Sequence, residues 1–226
     1  MQDGLTIGIY QHRRIQHTEL LLTSIYRCTP GSYHIALQNS DGQKVSETVR
    51  RLRDMIHTRY FIMVSDDVEI MTVGWSAVLI RLLQEYPKVG VVGCLEWSST
   101  GCVTAEIVNA CMANAKARYS EPAMLCKWIP GYLMAFDLDR TPWVTGDPLL
   151  PGVRNMTDLD IGCSLFARGL SGMLSTTVLV RHGWKGRDKL SESPESVAAQ
   201  LIYLREKWQG ASDVLRLQSP NVTIRL

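Results

Sequence analysis

The chain has 226 residues, of which 46% are apolar and 20% are charged, and its formal net charge is +2. These values are ordinary for a soluble globular protein and exclude a low-complexity or disordered chain. A chain of this length buries one sizeable core or at most two small ones, and the small net charge by itself favours no class of partner.

Short apolar strands alternate with amphipathic helices in the first half of the chain. We predict strands over residues 5–10, 33–37, 60–64 and 89–93, and helices over 18–28, 45–56 and 75–86. This β-α alternation predicts an α/β fold with a mainly parallel sheet and helices on both faces. Ligands of such sheets bind beyond the carboxyl ends of the strands.

The second half is less regular, and no boundary looks like a flexible linker. We predict a helix around 105–117, a strand over 132–136, a helix over 157–167 and a strand over 173–180. The final helix should begin with Ser193 as its cap and Pro194 at its first position. The chain is therefore interpreted as one domain with two unequal halves.

Two adjacent acids, Asp66 and Asp67, follow the apolar strand 60–64. Desolvating two like charges is unfavourable unless a cation or hydrogen-bond donors compensate them. Acids at this place therefore indicate a divalent metal that carries a phosphate, and so nucleotide-phosphate chemistry. The alternative is a surface turn in which both carboxylates face water. Polar residues 10–13 and 38–41 should reach the same sheet edge.

Basic residues cluster at 12–14, 50–53 and 181–189. Such clusters are usually solvated faces, and the alternative is a surface for an anionic acceptor such as nucleic acid. No apolar stretch approaches the ~20 residues that span a bilayer, and the first residues lack signal-peptide character. We therefore expect a soluble, cytoplasmic protein. The six cysteines show no metal-ligand spacing and are expected to be reduced core thiols.

The order of these motifs resembles the GT-A fold glycosyltransferases, and most closely their family 2. The first part of the match is the strand into Ser65-Asp66-Asp67-Val68, followed by Gly74-Trp75. The second part is Thr157-Asp158-Leu159-Asp160-Ile161, then Arg168-Gly169, then a strand ending in His182-Gly183-Trp184. The match runs from about residue 5 to 184. It implies one domain over 1–226, with a nucleotide-sugar half over about 1–95, an acceptor and catalytic half over about 96–190, and a C-terminal helix and tail.

The resemblance implies a donor site at the sheet edge. Asp67 would ligate Mn²⁺ or Mg²⁺, with His182 as the second ligand, although Ser65 stands where the family usually has its first acid. Asp66 would hold the ribose of a nucleoside-diphosphate sugar. The remaining residues of the nucleotide site, with uracil as the favoured base, would be Tyr10, Gln11, Asn39 and Asp41.

The resemblance also assigns a general base and an acceptor site. Asp158 matches the carboxylate that deprotonates the acceptor hydroxyl in inverting members, and acceptor contacts would come from Trp128, Gly131 and Asp160. Two structural alternatives stay open from the residues themselves. Asp160 could close a capping box with Thr157, and Asp158 could be an acid that interacts with the helix dipole.

The resulting prediction is a metal-dependent glycosyltransferase that moves a sugar, with inversion, to an acceptor hydroxyl. The acceptor would be a glycan. An alternative is a hydroxymethylated base of viral DNA, which would make the protein virus-encoded and active in the host cytoplasm. A catalytically weak relative that only binds nucleotide or glycan is a further alternative. A sugar-nucleotide pyrophosphorylase is disfavoured, because its early glycine-rich loop is absent.

Overall fold

The computed structural model of the protein describes residues 2–11, 15–40, 42–96, 123–126, 128–153, 156–183 and 193–209. These ranges contain eight strands, which are β1 (Gln2–Gln11), β2 (His34–Asn39), β3 (Thr58–Ser65), β4 (Val68–Ile70), β5 (Val89–Glu96), β6 (Ala123–Cys126), β7 (Leu133–Asp137) and β8 (Ser171–His182). They also contain five helices, which are α1 (Ile15–Cys28), α2 (Val45–Asp54), α3 (Trp75–Glu85), α4 (Thr157–Phe166) and α5 (Pro194–Lys207).

The eight strands form one sheet in the order β2-β1-β3-β7-β5-β8-β4, and β6 pairs with β8. The pairs β1–β2, β1–β3 and β5–β8 are parallel. The sheet is mixed because β7 runs antiparallel to β3 and β5, and β4 and β6 run antiparallel to β8. The predicted α/β fold with a Rossmann-like sheet is confirmed.

Helices cover both faces of this sheet, because alternate side chains of the apolar strands point to opposite sides. In β3, Ile62 and Val64 pack in one core cluster with residues of α1 and α3. Phe61 and Met63 pack in a second cluster with residues of α2 and α4. The carboxyl ends of the parallel strands lie at the rim between these two helical layers, where ligands of such sheets bind.

The register of β8 jumps in its middle. Cys94 of β5 pairs with Ser175, but the next residue, Leu95, pairs with Leu179, so β8 has three additional residues, 176–178. The Ser175 hydroxyl accepts a hydrogen bond from the amide of Val178 at 3.2 Å, which closes this excursion locally. As a result the first part of β8 pairs with β6 and its last part pairs with β4.

The last helix begins as its sequence predicts. The Ser193 hydroxyl accepts a hydrogen bond from the Ser196 amide at 3.2 Å, and Pro194 is the first helical residue. Leu204 of α5 packs with Leu159 of α4 in a third, small cluster.

Several elements differ from the sequence-based expectation. The short strands β4 and β6 were not predicted, and the helix predicted around 105–117 lies outside the described residues. The four cysteines in the described ranges, 28, 94, 126 and 163, are buried. Across those ranges, none of the helices combines the length and the apolar character needed to cross a bilayer.

Candidate active site

Strand register brings the predicted nucleotide-binding residues to one rim of the sheet. Tyr10 of β1 lies beside Ser65 of β3, and Gln11 lies beside Asn39 of β2. The amide of Asp66 donates to the Tyr10 carbonyl at 3.3 Å, which extends the contact between the two strand ends. Asp41, the remaining predicted nucleotide contact, lies outside the described residues.

The two predicted metal ligands are close together. β4 pairs with the end of β8, so that Val68 lies beside His182, and the Gly183 amide donates to the Asp67 carbonyl at 3.0 Å. This pairing places Oδ1 of Asp67 3.2 Å from Nε2 of His182. Both side chains are largely shielded from solvent, with exposed fractions of 20% and 16%. The structure thus joins residues that are far apart in the sequence.

The geometry of this pair fits a six-coordinate divalent cation. Two neighbouring ligands of an octahedral Mg²⁺, each bound at 2.0–2.1 Å, are about 3 Å apart, close to the observed separation. Within the described residues, no group of three or more His, Cys, Asp or Glu side chains could hold a metal ion. A cation here would therefore take its remaining ligands from the substrate and water.

Ser65 supports Asp67 instead of adding a second acid. Its hydroxyl donates to Oδ1 of Asp67 at 2.6 Å, so it orients the carboxylate oxygen that faces His182. Asp66, between Ser65 and Asp67 in the sequence, is only 1% exposed and is one of the most buried acids among the described residues. The acids after β3 are therefore not the solvated surface turn that was the alternative interpretation.

The predicted general base is held by backbone amides. Oδ2 of Asp158 accepts from the Gly131 amide at 3.1 Å, and Oδ1 accepts from the Leu159 amide at 2.9 Å. Burial raises the pKa of the Asp158 carboxyl, and these hydrogen bonds only partly oppose the rise. A Cβ at Gly131 would lie 3.2 Å from Cβ of Asp158, a tight contact that favours glycine at this position.

Tyr10 connects the two halves of the site. Its hydroxyl donates to the Gly131 carbonyl at 2.8 Å, while the Gly131 amide holds Asp158. The pKa of the Tyr10 phenol is raised, first by burial and next by the charge of Asp67, with further contributions from Asp158 and Asp66. The charges of Asp66, Asp67 and Asp158 therefore all act on the same buried phenol.

Two predicted nucleotide contacts already bind the chain itself. Tyr10 is 7% exposed, and Gln11 donates from Nε2 to the Thr18 hydroxyl at 2.8 Å. Contacts of Tyr10, Gln11, Asn39 and Asp66 with a nucleotide remain predictions.

Asp160 has other partners than the predicted acceptor. It accepts from Nζ of Lys207 at 2.8 Å and from Nε1 of Trp208 at 2.7 Å, and it is 4% exposed. The capping box is absent as well, because Met156 is the N-cap of α4 and no side chain caps this helix. Asp160 thus links the end of α5 to α4, and a contact of Asp160 with an acceptor remains a prediction.

Of the two other predicted acceptor contacts, Gly131 lies against Asp158, as described above. Trp128 is half-buried and packs against the second and third core clusters. Its Nε1 makes no hydrogen bond of standard geometry within the described residues, yet it lies close enough to Asp158 to oppose the rise that burial causes in the pKa of that carboxyl. A contact of Trp128 or Gly131 with an acceptor remains a prediction.

Two neighbours of His182 escaped the sequence analysis. Nδ1 of His182 lies 3.7 Å from Oε2 of Glu96, the last residue of β5, and the Tyr132 ring lies 4.9 Å from the imidazole. A signal for Glu96 was present, because it ends an apolar strand as the acids after β3 do. No comparable signal marks Tyr132, which lies in an apolar segment.

Comparison by sequence yields no matching family model and no matching curated protein. Comparison by structure yields many similar proteins, among them three glycosyltransferases of the GT-A fold. GalNAc-T7 with UDP, GalNAc and Mn²⁺ has a TM-score of 0.69 and 10% identity over 94% of this chain and 49% of that one. The mannosyltransferase PcManGT from Pyrobaculum calidifontis with GDP-Man and Mn²⁺ has a TM-score of 0.61 and 13% identity over 100% of this chain and 77% of that one. TarS 1-349 from S. aureus has a TM-score of 0.60 and 7% identity over 95% and 70%.

The likeness establishes the fold. The chain has the GT-A fold, which the sequence motifs predicted. It spans about half the length of GalNAc-T7. At identities of 7–13% the shared feature is the arrangement of strands and helices, so substrate and chemistry must be argued from the residues of this chain.

Proposed function

We propose that the protein is a metal-dependent glycosyltransferase that transfers a sugar from a nucleoside-diphosphate sugar to an acceptor hydroxyl with inversion. The observation that carries this proposal is the Asp67–His182 pair, 3.2 Å apart at the rim of a GT-A sheet. Two of the similar proteins were solved with a nucleotide or nucleotide sugar and Mn²⁺, which supports the same class of donor.

The donor would bind at the ends of β1, β2 and β3. Asp67 and His182 would hold Mn²⁺ or Mg²⁺, and such a cation neutralises the charge that develops on a leaving diphosphate. Ser65 orients the Asp67 carboxylate toward that position. We propose Asp66 as the ribose contact and UDP as the nucleotide.

Asp158 would take the proton of the acceptor hydroxyl. Its carboxylate accepts hydrogen bonds from the Gly131 and Leu159 amides, and no cation neutralises it among the described residues, so it can still accept a proton. The raised pKa of Asp158 makes it a stronger base than an ordinary aspartate, which suits deprotonation of a weakly acidic hydroxyl. Attack from the side opposite the leaving diphosphate gives inversion in one displacement.

The acceptor would approach past Gly131 and Trp128. We propose a glycan acceptor, with the indole of Trp128 as a contact for a sugar face. No feature of the three similar proteins favours a modified base of DNA. The viral origin and cytoplasmic location that accompanied that alternative stay predictions.

Calorimetry with UDP, GDP, CDP and TDP, each with Mn²⁺ and with EDTA, tests the donor half. We expect one diphosphate to bind with a strong preference for the Mn²⁺ condition, and Asp67→Ala to abolish that preference. Glu85→Ala is the matched control, because Glu85 is an exposed carboxylate on α3 that pairs only with Arg81 among the described contacts. Absence of binding to all four diphosphates would refute the proposal.

A further inference from the structure

The imidazole of His182 lies between two carboxylates from different strands. Nε2 is 3.2 Å from Oδ1 of Asp67, and Nδ1 is 3.7 Å from Oε2 of Glu96. Glu96 reaches the ring nitrogen that does not face Asp67. A role of Glu96 in cation binding must therefore be exerted through His182.

The fold brings Glu96 to this place through the register of β8. Because of the additional residues 176–178, Glu96 pairs with Val180, two residues before His182. If residues 176–178 continued the parallel ladder instead of forming the excursion, Glu96 would lie beside Thr177, five residues before His182. The excursion therefore places the last residues of β5 and β8 at the same rim position.

Neutral histidine carries one proton, on either Nδ1 or Nε2. With no cation present, Asp67 favours the proton on Nε2, because its carboxylate is the nearer acceptor. A cation can bind Nε2 only if this nitrogen has a free lone pair, which requires the proton on Nδ1. A carboxylate that faces Nδ1 lowers the free energy of this second tautomer.

The surroundings strengthen the interaction of Glu96 with the ring. The Glu96 and His182 side chains are 17% and 16% exposed, so solvent screens their attraction less than at the surface. The Tyr132 ring covers the imidazole at 4.9 Å, and its hydroxyl donates to the Cys94 carbonyl at 2.7 Å. Tyr132 is thus anchored to the same strand that presents Glu96.

We propose that Glu96 is a positioning residue that holds the Nδ1–H of His182 and leaves Nε2 free for the divalent cation. The inference rests on the proposed function, because it takes His182 as a cation ligand. The 3.7 Å separation is just beyond a hydrogen bond, and a shift of about 0.5 Å in either side chain closes it. Rotation of the terminal carboxylate torsion, which is soft, supplies such a shift.

The test is Mn²⁺ affinity, measured from the electron paramagnetic resonance signal of free Mn²⁺ with and without saturating UDP. We expect Glu96→Ala to weaken Mn²⁺ binding about 10-fold or more, in the range seen for partners of metal-bound histidines. Glu96→Gln keeps an acceptor oxygen and should recover most of the loss. The control is Glu69→Gln, which removes a largely shielded carboxylate of β4 that pairs with Arg181, the neighbour of His182 on β8. The Mn²⁺ affinity of this variant should stay within twofold of wild type.

A second readout follows the proton itself. With ¹⁵N-labelled histidine and diamagnetic Mg²⁺ plus UDP, the His182 signals should show a protonated Nδ1 in the wild type. In Glu96→Ala they should shift toward a mixture of tautomers. A purely structural role of Glu96 would lower the free energy of unfolding without changing this pattern or the Mn²⁺ affinity, and that result would overturn the inference.

Two further variants separate this inference from the proposed function. Suppose that Asp67→Ala and His182→Ala lose Mn²⁺ binding while the Mn²⁺ affinity of Glu96→Ala stays within twofold of wild type. The metal site is then supported, and only the role assigned to Glu96 is wrong. If Asp67→Ala and His182→Ala also bind Mn²⁺ normally, the metal site is wrong and the inference falls with it.

Discussion

Carboxylates shielded from solvent lie at both ends of β3, and the two groups have different partners. Near the amino end, Asp137 is 2% exposed, and Arg59 binds it with two hydrogen bonds of 3.0 and 3.2 Å. At the carboxyl end, Ser65 and His182 contact Asp67, and two backbone amides hold Asp158. Across the described ranges, no lysine or arginine lies within salt-bridge distance of Asp158.

The difference separates structural from reactive carboxylates. The Arg59 guanidinium neutralises the charge of Asp137 and occupies lone pairs of both carboxylate oxygens. Asp137 therefore stabilises the fold and is not available to accept a proton. Amide donors fix the Asp158 carboxylate in place without neutralising it, which leaves it able to accept a proton. The direction of its pKa shift, upward from burial, agrees with this distinction.

Asp158→Asn tests the reactive end most directly. It should lower turnover about 10²- to 10⁴-fold, the usual contribution of a general base. Affinity for the Mn²⁺–nucleotide complex should stay within twofold of wild type. Initial-rate kinetics and calorimetry on the same preparation measure both quantities. Turnover equal to that of the wild type would show that Asp158 is not the base.

Arg59→Met tests the structural end. Loss of Arg59 leaves the buried Asp137 with Arg140, 3.8 Å away, as its remaining cationic partner, so the free energy of unfolding should fall by about 2–3 kcal/mol. This loss of stability is smaller than for a fully buried ion pair, because the Arg59 side chain is 35% exposed. Urea denaturation measures the change. The control Arg81→Met removes an exposed i,i+4 pair and should cost under about 0.5 kcal/mol. Equal effects of the two variants would contradict the comparison.

Lys207→Met tests whether Asp160 is a structural carboxylate like Asp137 or a site residue like Asp158. Lys207 bonds both Asp147 and Asp160 at the end of α5, so its loss should lower the free energy of unfolding by about 1–2 kcal/mol. The KM for the acceptor should be unchanged, as it should be in Asp160→Asn. If Asp160→Asn raises the KM for the acceptor fivefold or more and leaves the free energy of unfolding unchanged, the predicted contact of Asp160 with the acceptor is supported instead.

The pH dependence is the smallest expected effect. The pKa of Asp158 is raised in the fold, so kcat/KM should fall as the pH falls through a value above that of an ordinary aspartate. The same shift stabilises the fold below the unfolded-state pKa, and this contribution is lost as the pH rises through the folded-state pKa. As the pH rises through the folded-state pKa of Asp158, the free energy of unfolding of the wild type should therefore fall relative to that of Asp158→Asn, and urea denaturation measures both. An acid limb at the pKa of a free aspartate would contradict the assignment.

Much of this arrangement was predictable from local sequence. Period-two and period-3.6 patterns located β1, β3, α2 and α3, and the cap at Ser193 located the start of α5. The apolar strand before Asp66 and Asp67 indicated the ligand edge, and the family resemblance pointed to Asp158 and His182. These signals are short and depend on neighbours in the sequence.

The remainder depends on contacts that local patterns do not encode. Arg59 and Asp137 are 78 residues apart, and Tyr10 and Gly131 are 121 residues apart. The contact of Glu96 with His182 depends on the register jump in β8, which no hydrophobic period reveals. The contact of Asp160 with Lys207 was not predicted, because Lys207 lies on a helix whose docking face could not be inferred from its sequence.

The excursion at 176–178 separates the length of β8 from its register at the rim. Ser175 pairs with Cys94 and Leu179 pairs with Leu95, so a chain without the three intervening residues could form the same ladder with β5 and keep Glu96 beside Val180. A gap between residues 179 and 182 would instead shift the imidazole along the strand, and an odd number of missing residues would also turn it to the other face. For anyone aligning distant relatives of this protein, gaps at 176–178 are therefore compatible with the same cation site, whereas gaps after residue 179 are not.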